Sequence, residues 1–341
     1  MFDLMKDHQL QELHCFQQGK LNAMVAIHST KLGPALGGCR FVSYKDFDQA
    51  AFDAVRLAQG MSYKAALANV QHGGGKAVIM LPDGEFDRQA LFESFGECVN
   101  TLGGRYITAM DSGTSVEDMD WIKNKTDFVA SHSEIGNPSP YTAEGVFQSI
   151  KLTLEEELNT PMEKATVAIQ GLGNVGYALM EKLIDAGSTL IVSDPDKEKT
   201  RKVINEHGVF VAPVSELLIE PCDVLAPCGL GGVITPAMVP QLNCKAIAGC
   251  ANNQLLNEEA GYLLHQREIL YAPDFVINSG GLIYASGQYN QLSKEQIQVN
   301  LDKLIQTLSS VYSASHDKNI PTDKVAIAMA QERIEAFGVD R

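Results

Sequence analysis

The spacing of apolar residues divides the chain into two stretches of different texture. Before about residue 135, apolar residues recur every three or four positions in segment 51–59, which predicts a helix. The runs 21–29 and 76–81 have the continuous apolar character of buried strands. Residues 136–142, GNPSPYT, contain two prolines and a glycine, so we expect a linker or hinge between two domains there.

The second stretch alternates helix and strand more regularly. After a long helical pattern at 143–158, the sequence predicts strands at five places, separated by helical or loop segments: 166–170, 188–194, 222–227, 246–249 and 269–275. Such alternation implies parallel strands under crossover helices, which is a doubly wound sheet. From about residue 292 the pattern is helical, with a break at 317–323.

Composition and charge narrow the function classes. The 341 residues suggest two domains, and 27 basic against 42 acidic residues give a net charge of −15, which disfavours nucleic acid and anionic membranes as partners. The charged N-terminus and the lack of a long apolar run indicate neither a signal peptide nor a membrane helix. Seven scattered cysteines without CxxC favour reduced thiols and a cytoplasmic location, and eight histidines without HxH or HExxH spacing predict no metal site.

A glycine-rich turn follows the predicted strand at 166–170. In GLGNVG, Gly171 is suited to a tight turn, Gly173 lets a pyrophosphate approach the backbone, and Gly176 permits close helix–strand packing. The motif alone is weak evidence for a dinucleotide site, because glycines that serve only in turns explain many of its occurrences. A strand before it, a helix after it and Asp194 at the end of the next strand favour a Rossmann-type dinucleotide site.

Asp194 also indicates which dinucleotide is bound. A carboxylate there accepts hydrogen bonds from the ribose hydroxyls and repels a 2′-phosphate, so NAD is favoured over NADP. Lys197 and Lys199 nearby soften this preference, although a solvated loop explains them as well. Four further residues belong to the predicted cofactor set: Asn174, Val175, Ala226 and Cys228.

The first stretch carries candidate chemistry. Lys64 and Lys76 flank three consecutive glycines, which allow close approach to the backbone. A single lysine after a flexible turn is more simply a surface residue. Asp111 ends a predicted strand; it is either a catalytic carboxylate or part of the polar run that caps the helix beginning near Val116.

Eight segments together resemble one family. GPALGGCRF, MSYKAALANVQHGGGKAVI, RYITAMDSGTSVEDMD, GNPSPYTAEGV, GLGNVG, DVLAPCGLGG, GCANNQL and YAPDFVINSGG are similar, in this order, to segments of the glutamate/leucine/phenylalanine/valine dehydrogenases, and most closely to the leucine-specific members. The similarity runs from about residue 20 to 335. The resemblance implies an α/β fold in which residues 1–137 bind substrate and mediate oligomerisation, residues 138–322 bind the dinucleotide, and a terminal helix at about 323–341 packs back on the first domain.

The resemblance also implies roles for individual residues. Lys64 and the backbone of Gly37 hold the substrate carboxylate, and Lys76 and Asp111 are catalytic. Two positions of the second half contribute as well: Asn252 reaches the substrate and the nicotinamide ribose, and Thr142 reaches the carboxamide.

The implied reaction is oxidative deamination of an L-amino acid with NAD and water, giving a 2-oxo acid, ammonium and NADH. A lysine suits the activation of water, because burial beside another cation lowers the pKa of such a group. A Schiff-base role for Lys76 is the chemical rival, although no pyridoxal motif accompanies it. A non-catalytic NAD-binding sensor is a further alternative, but it has no need of Lys64, Lys76 and Asp111 together.

The implied side-chain pocket is apolar and consists of Leu36, Ala109, Leu282 and Ala285. Glutamate-specific relatives have lysine at position 36, so Leu36 disfavours glutamate, whose buried carboxylate would be unpaired. Leu282 shrinks the pocket and Ala285 enlarges it relative to the commonest leucine-specific pattern, and one methylene discriminates by only about 1–3 kcal/mol. Leucine, isoleucine and valine are therefore expected substrates, and phenylalanine or tryptophan is the alternative.

We expect a homo-oligomer. The chain ends without the further tail of the octameric leucine-specific members, which favours a dimer. Met110 and Ser112 beside Asp111 depart from the more usual glutamate and valine, which affects fine tuning rather than the role of Asp111.

Overall fold

The computed structural model describes residues 2–337 and divides the chain into two compact units. The first contains the residues up to Asn137, Ile283–Ile297 and those from Ala330 onward. The second contains Pro138–Leu282 and Gln298–Met329. The chain thus passes between the units four times, where the sequence suggested two passages.

A five-stranded mixed sheet forms the centre of the first unit, in the order β1-β2-β4-β3-β5. β1 and β4 pair antiparallel with β2, and β3 runs parallel to both β4 and β5. The strands are β1 (Glu12–Gln18), β2 (Leu21–Ser29), β3 (Ala35–Val42), β4 (Gly73–Met80) and β5 (Tyr106–Met110), and the helices are α1 (Phe2–Asp7), α2 (Phe47–Leu67), α3 (Arg88–Thr101) and α4 (Val116–Lys123).

The two faces of this sheet are covered by different helices because side chains alternate along each strand. Met24, Ala26 and Val78 pack against the alanine-rich face of α2. Their neighbours Val25 and Ala77 face the other way, into a core that contains the aromatic side chains of α3. The small side chains of α2 allow the helix to lie close to the sheet.

The second unit contains a six-stranded parallel sheet in the order β11-β10-β9-β6-β7-β8. Its strands are β6 (Thr166–Gln170), β7 (Thr189–Ser193), β8 (Phe210–Val211), β9 (Cys222–Pro227), β10 (Cys244–Ile247) and β11 (Leu270–Tyr271). Its helices are α5 (Ser139–Leu152), continued by a π-helical turn at Thr153–Glu157, α6 (Asn174–Asp185), α7 (Lys197–His207), α8 (Glu258–Gln266) and α9 (Asp274–Ile277). This confirms the predicted doubly wound α/β architecture.

Three further helices complete the chain: α10 (Gly280–Tyr289), α11 (Lys294–Lys318) and α12 (Thr322–Ala336). The first and last of them contact the first unit. Tyr284 of α10 donates a hydrogen bond to the carbonyl of Ile135, and Arg333 of α12 donates to the carbonyl of Ala66 at 3.2 Å. The terminal helix is predicted at about 323–341, and the part of that prediction beyond Phe337 lies outside the described residues.

One predicted strand is wrong over most of its length. Of the segment 269–275, only Leu270–Tyr271 pairs with β10. Pro273 has no N–H for a ladder, and Asp274 opens the short helix α9, so the β-rich composition of this segment misleads.

Candidate active site

Lys76 and Asp111 form a buried ion pair in the first unit. Lys76 lies on β4 with 7% of its side chain exposed, and its Nζ contacts Oδ2 of Asp111, which directly follows β5. Burial opposes ionisation of Asp111, but the Lys76 ammonium and then Arg40 outweigh it and lower the pKa of this carboxyl to about 2. The two predicted catalytic side chains are therefore in contact, and Asp111 is an anion at neutral pH.

Strand register places other predicted site residues on the same face as Lys76. Leu36 pairs with Gly74, and Lys76 follows two residues later, so Leu36 and Lys76 share a face of the sheet. Across β3, Gly38 pairs with Ala109, which puts Ala109 on that face as well. Leu36 is only 2% exposed, so the surface beside the ion pair is apolar.

Lys64 lies on the last turn of α2, the helix that covers this face. The helix touches the sheet where Ser62 meets Gly74: a Cβ added to Gly74 would lie 2.5 Å from Cα of Ser62. Lys64 and Lys76 are each two residues beyond this contact. The backbones of both lysines therefore lie near one contact between α2 and β4.

Gly37 is required by close approach of two strands. A Cβ at this position would lie 2.5 Å from the carbonyl carbon of Gly75, closer still to its oxygen, and 3.3 Å from the backbone nitrogen of Lys76. Any larger residue must push β3 away from the strand that carries Lys76.

Asp111 does not cap the helix that follows it. The N-cap of α4 is Ser115, whose side chain accepts from the backbone N–H of Asp118, while Asp118 accepts in return from the backbone of Ser115. This reciprocal capping box leaves the Asp111 carboxylate for the ion pair.

Sequence reasoning missed two charged residues that belong to this cluster. Arg40 on β3 donates to Asp111 at 3.3 Å and to Asp53 on α2 at 2.7 Å. A signal was available, because Arg40 follows Leu36 and Gly38 at strand spacing and must share their face.

Ala285, the third predicted pocket residue in the first unit, is buried in α10. Two contacts attach this part of the chain to the residues before Asn137. Tyr284 donates to the carbonyl of Ile135, and Asn290, directly after α10, donates from its amide to Nε2 of His72 at 3.1 Å. His72, directly before the triple glycine, therefore has a structural partner.

The second unit contains the glycine-rich turn between β6 and α6. Gly171 has φ of +98°, a conformation that favours glycine, and a Cβ on Gly176 would overlap the carbonyl oxygen of Gly171. Gly173, the N-cap of α6, has open space beside it, since a Cβ added there would meet nothing within 4 Å. Asn174 and Val175 form the first turn of α6, so a phosphate can approach backbone N–H groups here.

Asp194 is joined to this turn. Its Oδ2 accepts from the backbone of Leu172 at 2.7 Å, its Oδ1 accepts from Asp196 at 2.8 Å, and Nζ of Lys199 lies 3.8 Å from Oδ2. Nearby, Oε1 of Gln170 and Oγ of Ser193 are buried without a hydrogen-bond partner. Unsatisfied polar atoms at the carboxyl ends of two neighbouring strands fit a polar ligand such as a dinucleotide.

The remaining predicted residues of this unit differ in position. Asn252 is exposed, and its Oδ1 accepts from Nδ2 of Asn278 at 2.9 Å. Thr142 lies on the first turn of α5. It lies close to Gly281, the residue before Leu282: a Cβ added to Gly281 would lie 2.6 Å from Oγ1 of Thr142. The last two lie on β9 and directly after it: Ala226 is fully buried within the strand, and Cys228 follows its carboxyl end.

Within residues 2–337, no cluster of three or more histidine, cysteine or acidic side chains could hold a metal ion. In the same range, the helices are too short or too polar to span a bilayer.

A dinucleotide-type turn in the doubly wound second unit, together with a lysine–aspartate pair beside apolar surface in the first unit, is typical of an NAD(P)-dependent dehydrogenase. Two family models match this chain: Glu/Leu/Phe/Val dehydrogenase, dimerisation domain, over residues 12–128, and Glutamate/Leucine/Phenylalanine/Valine dehydrogenase over residues 138–197 and 193–338. The chain belongs to this family of amino acid dehydrogenases.

Individual relatives agree with the family match. A leucine dehydrogenase from Geobacillus stearothermophilus is 41% identical over 326 residues, which is 94% of this chain and 89% of the relative. A phenylalanine dehydrogenase from Bacillus thermotolerans is 38% identical over 354 residues, 99% of this chain and 91% of the relative. The crystal structure of L-tryptophan dehydrogenase from Nostoc punctiforme is similar over 100% of both chains, with a TM-score of 0.88 at 34% identity.

Proposed function

We propose that this protein catalyses the reversible NAD-dependent oxidative deamination of branched-chain L-amino acids, namely leucine and also isoleucine and valine, to 2-oxo acids and ammonium. The observation that carries the proposal is the buried ion pair of Lys76 and Asp111 beside the uncharged Leu36. The similarity to leucine dehydrogenases over more than nine-tenths of the chain supports the same substrate class.

Two residues hold the substrate carboxylate. The ammonium of Lys64 supplies the charge, and the backbone at Gly37 supplies a contact that a side chain would obstruct. Asn252 completes the binding set, with its side chain oriented by Asn278. This binding presents the substrate side chain to apolar surface, for which we propose Leu36, Ala109, Leu282 and Ala285.

Lys76 and Asp111 move protons. With Lys76 neutral, its ammonium no longer holds down the pKa of Asp111, and Asp111 can take a proton from the substrate ammonium. The neutral amine can then lose hydride from Cα, leaving an iminium. Lys76, as general base, takes a proton from the water that attacks this carbon. The resulting carbinolamine breaks its C–N bond, and the departing ammonia takes up a proton, so the reaction consumes one water and releases one proton besides ammonium.

NAD, when bound, supplies the hydride acceptor. The turn from Gly171 to Gly176 would hold the pyrophosphate against the N-terminus of α6, Asp194 would accept from the ribose hydroxyls, and Thr142 would hold the carboxamide. Cys228 would line the same edge of the sheet. Ala226 would help to hold the end of β9 in place rather than contact the dinucleotide, because its side chain is buried.

Aromatic amino acids are the second candidate substrate. The specific observation is the match to L-tryptophan dehydrogenase along the entire length of both chains. Small side chains at Ala109 and Ala285 leave space that an indole or phenyl ring could use.

We further propose that the protein is a homo-oligomer, a dimer in the simplest case, and that it acts in the cytoplasm. The match of residues 12–128 to the family's dimerisation domain supports self-association. Light scattering coupled to size exclusion tests this: a mass near twice 37.0 kDa supports a dimer.

A substrate panel tests the function. Purified protein is given NAD and, separately, leucine, isoleucine, valine, phenylalanine, tryptophan and glutamate at alkaline pH, and NADH is followed by its absorbance. The highest kcat/KM is expected with leucine, and none with glutamate. Preference for phenylalanine or tryptophan supports the second candidate. NAD binding by calorimetry without turnover of any amino acid would indicate a sensor and refute the proposal.

A further inference from the structure

Arg40 faces the same carboxylate oxygen as Lys76. Nε of Arg40 lies 3.3 Å from Oδ2 of Asp111, and this oxygen is also the one that contacts Nζ of Lys76. A single oxygen of this partly buried carboxylate is thus in contact with two cations, one from β3 and one from β4.

A second carboxylate fixes Arg40 from the other side. Its NH1 donates to Oδ2 of Asp53 at 2.7 Å, and the hydroxyl of Tyr44 donates to the same oxygen at 2.7 Å. The other oxygen, Oδ1, accepts from Arg56 at 3.2 Å. The planar guanidinium of Arg40 therefore bridges two acids through two of its nitrogens, in a fixed fork that a lysine ammonium lacks.

We propose that Arg40 is a positioning residue that serves as the permanent counter-ion of Asp111, so that Lys76 can give up its proton during turnover without leaving a buried carboxylate unpaired. The inference rests on the proposed function, because only a reaction that uses Lys76 as a base requires its neutral form.

The physical reason is the cost of an unpaired buried charge. When Lys76 is neutral, Asp111 loses the cation on β4, and an isolated carboxylate at this depth is strongly disfavoured. Arginine stays protonated at every pH at which the protein is folded, so Arg40 still balances Asp111 in that state. Without Arg40, retention of the proton on Lys76 becomes the favoured way to neutralise Asp111.

The other charged groups around the pair allow a matched control. Asp111 faces Lys76 and Arg40 and receives a backbone hydrogen bond from Ser112. Lys64 lies on the last turn of α2. Arg56 has the same charge as Arg40 and pairs with the same Asp53, but its recorded ion pair does not extend to Asp111.

The first test compares the pH dependence of kcat/KM in Arg40→Met and Arg56→Met. Arg40→Met should move the acid limb of the profile to higher pH by about 0.5–2 units, the range given by one unit charge at about 6 Å in an effective dielectric of about 20–80. The acid limb should remain in place in Arg56→Met. Arg40→Lys keeps the charge but not the bridge, and should move the limb in the same direction by a smaller amount.

A second readout needs no turnover. Brief acetylation with acetic anhydride across a pH series, followed by peptide mass spectrometry, measures the pH at which Lys76 becomes reactive in the folded protein. That pH should rise in Arg40→Met and stay constant in Arg56→Met. Superimposed labelling curves for these two variants would overturn the inference.

The two readouts separate this inference from the proposed function. If the wild type oxidises no amino acid, the function fails, yet labelling still decides whether Arg40 acts on Lys76. If circular dichroism shows that Arg40→Met is unfolded, Arg40→Lys is compared with Arg56→Lys in the same labelling assay. A shift in the first variant alone supports the inference, and equal curves reject it.

Discussion

Replacement of Asp111 by asparagine removes the charge of the ion pair while keeping the size of the side chain. In the wild type, burial disfavours the Asp111 anion, but Lys76 and Arg40 stabilise it enough to lower its pKa from 3.8 to about 2. In the unfolded chain this carboxyl returns to its ordinary value. The folded protein therefore gains stability from ionised Asp111, which Asp111→Asn lacks at every pH.

The magnitude follows from linkage. A pKa difference from 3.8 to about 2, at about 1.4 kcal/mol per pKa unit, corresponds to about 2 kcal/mol of folding free energy. Because the folded-state pKa is depressed, this contribution is fully present above the unfolded value and disappears as pH falls through the folded value. Roughly half remains at pH 3, and little remains below pH 2.

The assay is urea denaturation of wild type and Asp111→Asn at fixed protein concentration between pH 7 and pH 3. The difference in unfolding free energy should be about 2 kcal/mol at pH 7 and should shrink by about 1 kcal/mol at pH 3. Asp127→Asn is the control: the Asp127 side chain is 93% exposed, so a change within about 0.5 kcal/mol is expected. A difference for Asp111→Asn that is independent of pH would show that ionised Asp111 does not stabilise the folded state.

Three other substitutions test separate parts of the site. Gly37→Ala forces β3 away from the backbone of Lys76 and should lower kcat/KM for leucine by about 100-fold; steady-state kinetics with the fold checked by circular dichroism measures this. Leu36→Lys buries an ammonium where the pocket is apolar and should lower leucine turnover at least as much, so unchanged kinetics would exclude position 36 from the pocket. Asp194→Ala removes a charged hydrogen-bond acceptor and should raise KM for NAD by about 10-fold or more while narrowing the preference over NADP, as initial rates with both dinucleotides would show.

Local patterns predicted the elements whose signals are short in range. The β-rich run Thr166–Gln170 forms a strand over its full length, and the polar run before Val116 caps a helix, through Ser115. The tight turn at Gly171 and the close packing at Gly176 follow from glycine spacing between a strand and a helix.

Features that depend on tertiary contacts were not predictable in the same way. Ile283–Ile297 joins the first unit through contacts such as Tyr284 with Ile135 and Asn290 with His72, which connect residues more than 140 positions apart. The contact of Asp53 with Arg40 likewise depends on how α2 crosses the sheet, and no local motif indicates that crossing.

If Lys76 acts as the base of an amino acid dehydrogenase, Lys76→Ala must lose turnover while it keeps its fold and its affinity for NAD. This variant should fold, bind NAD as the wild type does in calorimetry, and form NADH from L-leucine at least 100-fold more slowly. NADH formation at the wild-type rate in the folded variant would contradict this role of Lys76.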